Sequence, residues 1–143
     1  MMVVAASVFS LLQAVALLHL AWAIGLSWPA RSREKLSATV IGLPEGSPMP
    51  PAWLTILVAL GISLAGWLAL WGGGWFSLGE FEPLRKWGVG AGAVVFALRG
   101  GMTYMPFGPL QASAEPFRTL DSRFFAPLCL ILAIGYLLLW LGR

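Results

Sequence analysis

Ala52-Trp53-Leu54-Thr55-Ile56-Leu57-Val58-Ala59-Leu60-Gly61-Ile62-Ser63-Leu64-Ala65-Gly66-Trp67-Leu68-Ala69-Leu70-Trp71 carries no charged side chain. A helix rises 1.5 Å per residue, so a run of this length covers about the 30 Å of a bilayer's hydrocarbon core. Lipid offers the backbone no hydrogen-bond partners, which leaves a helix or a closed barrel as the ways across. Barrel strands are short and alternate apolar with polar residues. This run is long and continuously apolar, so it predicts a membrane-spanning helix. Pro50 and Pro51 stand just before it, where a missing backbone donor matters least, and Gly72, Gly73 and Gly74 follow its end.

Three further stretches read the same way: Val3 to Leu26, Gly88 to Met105 and Phe124 to Leu141. The last two are slightly short for a full crossing, and a few flanking residues on each make up the difference. Together the four predict an all-α fold: an integral membrane four-helix bundle of up-down topology, one domain over residues 1–143. The composition agrees, with 59% hydrophobic and 10% charged residues and a mean hydropathy of +0.83. A soluble domain carries about 25% charged residues. A disordered chain needs low hydrophobicity and high charge. Both classes are excluded.

Ala21-Trp22-Ala23 has the small-x-small pattern of a signal cleavage site, but no Lys or Arg precedes the run. The run is also long for a signal core, so it reads as a retained first span. The first connection holds Arg31, Arg33 and Lys35 with Glu34 and Glu45. The third opens with Pro106-Phe107-Gly108-Pro109 and holds Arg118 and Arg123. The other side holds Arg85, Lys86 and Arg143, with Glu80, Glu82, Arg85 and Lys86 placing the second connection outside the hydrocarbon. The positive-inside rule then puts connections one and three in the cytoplasm and both termini outside.

Trp22, Trp28, Trp53, Trp71, Trp75, Trp87 and Trp140 fall near the span ends, as interfacial anchors do. Gly88 and Gly92, Ala93 and Ala97, and Gly61 and Ala65 recur at helical spacing and predict close helix–helix seams.

The formal charge of +3 comes from scattered cations, so no nucleic acid partner is expected. The one cysteine, Cys129, excludes an intrachain disulfide. One histidine and one cysteine give no metal-binding pattern, and Gly72 to Gly74 lack the Lys-Ser or Lys-Thr of a phosphate loop. No metal or cofactor is expected.

Arg99 is the least expected residue, placed about a turn beyond the middle of the third span. An arginine near a helix centre costs about 2.5 to 3.5 kcal/mol to insert. His19 is biased toward the same membrane side, as are Tyr104, Arg118 and Asp121, and Thr103 lies one turn beyond Arg99 on its face. A polar cleft opening from that leaflet would collect all six. Asp121 is the natural anion for Arg99 or Arg118 and also suits a cap for the fourth span, a role Ser122 could equally fill. Pro127 would then sit in an early turn and bend the helix.

His19-Leu20-Ala21-Trp22, Val40-Ile41-Gly42-Leu43-Pro44, Leu98-Arg99-Gly100 and above all Phe117-Arg118-Thr119-Leu120-Asp121-Ser122-Arg123-Phe124-Phe125-Ala126-Pro127-Leu128-Cys129-Leu130 carry a resemblance. Over nearly its whole length the chain resembles a family of small bacterial four-span membrane proteins, a domain of unknown function. Such proteins usually carry a polar residue, often serine, before the proline, where this chain has Ala126. The resemblance implies a helical bundle and singles out Arg99 and Asp121. It implies no activity.

The leading functional expectation is a binding or accessory protein whose cleft takes an anionic lipid or similar amphiphile. Arg99 supplies the charge, Arg118 stands at the rim, Asp121 holds a guanidinium, and His19, Thr103 and Tyr104 complete the wall. One alternative is an enzyme on a lipid-like substrate, with His19 and Asp121 passing protons and Arg99 steadying negative charge. Others are a small oligomeric channel or transporter and a packing subunit of a larger membrane complex. Membrane lipid is the expected partner, with a homo-oligomer or larger complex as the protein-level option.

Overall fold

The structure, a computed structural model, describes residues 1–44, 46–106 and 113–142. Glu45, Phe107 to Pro109 and Arg143, used above for boundaries and charge, lie outside the described residues.

Every regular element among the described residues is helical. α1 spans Met2–Ala23 and ends where Gly25, at φ +106°, turns the chain; its amide bonds the Trp22 carbonyl at 3.1 Å. α2, Arg33–Val40, starts under Ser32, whose hydroxyl accepts from the Lys35 amide, and carries Glu34 in its first turn. An oxygen cap with an early acid is a standard start signal. α3, Ala52–Gly73, follows Pro51 and ends at Gly74, whose φ of +80° a side chain would resist.

α4 spans Glu82–Gly101 after a short 3₁₀ turn and continues into another at Met102–Tyr104. It begins six residues earlier than hydropathy suggested. Pro83 stands in its first turn, where its fixed φ favours helix and its missing donor goes unneeded. Glu82, Arg85 and Lys86 are therefore helical, not part of a loop. α4 ends at Gly101, so Arg99 falls in its last turn, nearer the helix end than the turn beyond mid-span that hydropathy suggested.

The final segment is α5, Phe117–Leu120, a π turn at Asp121–Phe125, and α6, Ala126–Leu141. Asp121 and Ser122 do not cap a helix here, because the helix runs on through them from Phe117. Pro127, at the start of α6, has no N–H to offer the turn before it, and a wide π turn absorbs that loss.

α1 packs chiefly on α3, and α4 chiefly on α6, with α3–α4 and α1–α6 contacts closing the group. The neighbours run in opposite directions. The Trp75 indole at the end of α3 donates to the Met2 carbonyl at 3.1 Å. Along the other pair, Gly100 faces Ala126, Gly92 faces Tyr136 and Gly90 faces Trp140. The centre is filled by Val8, Leu12, Leu70, Val89, Leu132 and Tyr136. Tyr136 is fully buried; its hydroxyl donates to the Ala65 carbonyl and its ring stacks on Phe96.

The glycine seams are real at some positions and absent at others. A Cβ on Gly92 would lie 2.7 Å from the Tyr136 ring, and one on Gly88 would lie 3.0 Å from Leu68. Gly61 has nothing within 4 Å, so the expected Gly61–Ala65 seam is not a seam at Gly61. Gln13 and Ser63 form a reciprocal pair instead: the Ser63 hydroxyl donates to Gln13 Oε1 at 2.9 Å and Gln13 Nε2 to the Ser63 carbonyl at 3.1 Å.

Among the described residues three helical segments are long and apolar enough to cross a membrane: Met2–Ala23, Ala52–Gly73 and Phe117–Leu141. Their outward faces expose Leu57, Leu60, Leu64, Ile131 and Ile134. An apolar belt of this kind is a liability in water and the normal state in lipid. Trp28, Trp53 and Trp87 are exposed, as anchors would be, but Trp22 and Trp71 are buried. Their indoles donate to the Trp28 carbonyl at 2.7 Å and to Glu82 Oε1 at 3.0 Å, pinning opposite ends of the molecule.

Candidate functional site

The first and third connections meet at one end. The Ala114 amide donates to the Gly42 carbonyl at 3.1 Å, and a Cβ on Gly42 would strike Phe117 at 2.7 Å. Gly42 sits at φ +82°, which both frees the chain to turn and lets Phe117 approach. Phe117 is buried there, so the start of α5 is held under α2. That contact fixes where the following π turn presents its side chains.

Asp121 opens that π turn and is 1% exposed. Its Oδ1 accepts from Arg99 Nη2 at 2.6 Å and its Oδ2 from the Thr103 hydroxyl at 2.5 Å. Arg99 Nη1 reaches Thr103 Oγ1 at 3.3 Å. Both carboxylate oxygens are thus held by donors from α4 and the turn after it. A buried carboxylate is costly unless paired and hydrogen-bonded, and this one is both. The Arg99 side chain keeps 37% of its surface open. A guanidinium has five N–H donors, and the two bonds described use two of them.

The remaining expected residues fall into two groups. Tyr104 stands beside the cluster, its hydroxyl donating to the Ser122 carbonyl at 2.8 Å. Arg118 is exposed and pairs at 3.2 Å with Glu115, three residues earlier and just before α5. His19 is not with them. Its Nδ1 lies 2.8 Å from the Val15 carbonyl and its ring packs on Trp22 at 4.8 Å. It lines a separate cleft between the end of α1, the residues after α2 and the start of α3. His19 and Arg99 share an end of the molecule but stand on helices that do not pack closely together.

Glu115 accepts from the Thr119 hydroxyl at 2.8 Å, which with the Thr119 amide and Arg118 holds its carboxyl below the usual range. At the opposite end the Trp71 indole, then Ser77, the Leu78 amide and Arg85, hold Glu82 below its ordinary value. Among the described residues no three His, Cys, Asp or Glu side chains converge as a metal site would require. Two features escaped sequence reasoning: the π turn, and buried Thr55, which lines the His19 cleft. A lone threonine one turn after Pro51 in an otherwise apolar run was the available signal.

A sequence profile for a family described as "Protein of unknown function (DUF3995)" matches residues 12–136. No curated protein and no solved structure matches the chain.

Proposed function

The chain belongs to the DUF3995 family of proteins of unknown function, and from that premise we propose an integral membrane binding protein with four spans in up-down order. Its polar site takes the anionic head of a lipid or similar amphiphile. The fourth span is the apolar part of α4, from Gly88 on through the turn at Met102–Tyr104, with Glu82, Arg85 and Lys86 at headgroup level. It lies antiparallel along α6 from Gly100 at Ala126 to Gly90 at Trp140. A helix that shares the length of a spanning helix shares its depth. The meeting of Gly42 with Ala114 and Phe117 supports placing connections one and three on one side. Their cations favour the cytoplasmic side of a bacterial cytoplasmic membrane, with both termini outside.

One observation carries the binding reading. Arg99 is oriented by Asp121 and Thr103 while over a third of its side chain remains open. A guanidinium held by one carboxylate is preorganised to offer its outer donors to a phosphate or second carboxylate. Arg118 stands at the rim as a further cation. The acid–base alternative needs His19 beside Arg99, and their separate settings give that reading no support.

Native mass spectrometry of the full chain in mixed phosphatidylglycerol and phosphatidylcholine tests the proposal. The wild type is expected to retain phosphatidylglycerol preferentially. The double variant Arg99→Gln/Asp121→Asn keeps polar partners of similar size and is expected to lose that preference. Equal retention by a folded double variant overturns the reading.

A further inference from the structure

We infer that the cleft beside His19 is a second binding site, for a neutral, membrane-soluble molecule with an apolar body and one hydroxyl group. The cleft has a volume of about 220 Å³. That is about seven times the roughly 30 Å³ share of a water in the liquid, so it is sized for an organic group. Its walls are mostly apolar, with Val40, Ile41, Leu54 and Val58 among them.

Three polar side chains line it, and two of them, His19 and Thr55, keep hydrogen-bonding capacity unused among the described residues. His19 Nδ1 is committed to the Val15 carbonyl, and a carbonyl can only accept, so Nδ1 carries the proton in the neutral ring. Nε2 then presents a lone pair with no partner among the described residues. Thr55 is only 8% exposed, and its hydroxyl likewise has no partner among the described residues. A threonine in a membrane helix ordinarily turns its hydroxyl back to the carbonyl four residues earlier. Here that carbonyl belongs to Pro51 and already accepts the Leu54 amide at 3.0 Å and the Thr55 amide at 3.3 Å. The Trp22 indole is occupied by the Trp28 carbonyl, so it adds surface to the cleft and no free donor.

The polar demand of the cleft is therefore an acceptor at His19 and a hydroxyl at Thr55. A ligand hydroxyl answers both, donating to Nε2 and accepting from Thr55. A buried polar group left unmatched is costly, so the pair discriminates against a purely apolar occupant. The depth fits as well. His19 is about one turn from the end of α1 and Thr55 about one turn from the start of α3. A molecule seated there keeps its hydroxyl near headgroup level and its apolar body along the hydrocarbon.

The test is photolabelling of the full chain in neutral-lipid nanodiscs with a diazirine-bearing 4-hexylphenol and, separately, the matching 4-hexylcyclohexanol. Labels are expected on peptides at the end of α1 and the start of α3. The two arms separate a phenol from an aliphatic alcohol as the natural class. The methyl ether of whichever probe binds lacks the donor and is expected to compete about tenfold less well, the size of one buried hydrogen bond. His19→Phe and the isosteric Thr55→Val should each weaken labelling several-fold or more, with Thr55→Val guarding against a folding defect. Equal competition by the ether, unchanged labelling in folded Thr55→Val and His19→Phe, or no labelling by either probe overturns the inference. The cleft does not draw on Arg99 or Asp121, so the two sites stand or fall separately.

Discussion

Arg99 and Asp121 lie 22 positions apart in the chain, and their side chains meet at 2.6 Å. The two are not equivalent partners. Asp121 is 1% exposed, whereas the Arg99 side chain reaches open surface. The anion therefore depends on the cation far more than the reverse. Because α4 and the π turn each contribute one member, the pair also ties the last turn of α4 to the segment that leads into α6.

That asymmetry makes Arg99→Gln more destabilising than Asp121→Asn. Removing the guanidinium leaves a carboxylate buried with Thr103 as its main remaining donor. Removing the carboxylate charge lets Arg99 swing toward the interface. The loss for Asp121→Asn should be about 1–2 kcal/mol, reduced from a buried pair's value by the exposure of Arg99. The double variant should lose less than the sum of the two singles. Equilibrium unfolding in mixed micelles measures all three, and strict additivity would refute the coupling.

Glycines of equal appearance in the sequence should respond in opposite ways. A Cβ at Gly73 would overlap that of Ala5, where α1 and α3 touch. Gly73→Ala should destabilise by about 1–3 kcal/mol. Gly61 has open space around it, so Gly61→Ala should be neutral or stabilise by up to about 1 kcal/mol through helix propensity. Thermal unfolding of the purified variants distinguishes them.

Gln13 and Ser63 join α1 to α3 by two hydrogen bonds within the apolar zone. Interhelical bonds of this kind average about 0.6 kcal/mol in a membrane protein and reach about 1.7. Gln13→Leu should therefore cost about 1 kcal/mol or less. Unfolding free energy in detergent reads this directly, and a loss several times larger would assign Gln13 a role beyond this pair.

Glu82 provides a pH response outside the spans. Its carboxyl is held below the ordinary value of 4.5, first by the Trp71 indole and then by Ser77, Leu78 and Arg85. A depressed folded-state value means the stabilisation is present above the unfolded value and is lost as pH falls through the folded one. Tm should drop as pH is lowered below about 4.5, and Glu82→Gln should flatten part of that drop. Glu115, lowered chiefly by Thr119, contributes in the same direction. A Glu82→Gln profile parallel to wild type would remove Glu82 from the account.

The membrane helices were legible because length and continuous hydropathy suffice to define them. The rest depended on orientation around the helix axis. α1 and α3 are apolar around most of their circumference, and their few polar residues, among them Gln13, His19, Thr55 and Ser63, do not by themselves say which face turns inward. His19 and Arg99 could be assigned to one end of the bundle, but the sequence did not show that they stand on helices that do not pack closely together. Asp121 before an apolar run looks like a cap; only its tertiary partners, Arg99 and Thr103, draw it into a continuous helix. The early start of α4 was signalled by Glu82-Pro83, a signal that the charges of Arg85 and Lys86 outweighed in a reading based on hydropathy.

The proposed topology rests on the same charges and can be mapped by cysteine accessibility. In a Cys129→Ala background, single cysteines at Lys35, Glu80 and Arg118 occupy exposed positions in or beside the three connections. With α4 crossing the bilayer, Lys35→Cys and Arg118→Cys should react with a membrane-impermeant maleimide from one side and Glu80→Cys from the other. Were α4 to lie along the surface, Glu80 and Arg118 would label from the same side. In right-side-out vesicles Glu80→Cys should be the reactive position, because both termini and the second connection are proposed to face outward. Reaction at Lys35 and Arg118 instead would reverse the orientation and leave the proposal of four crossings intact.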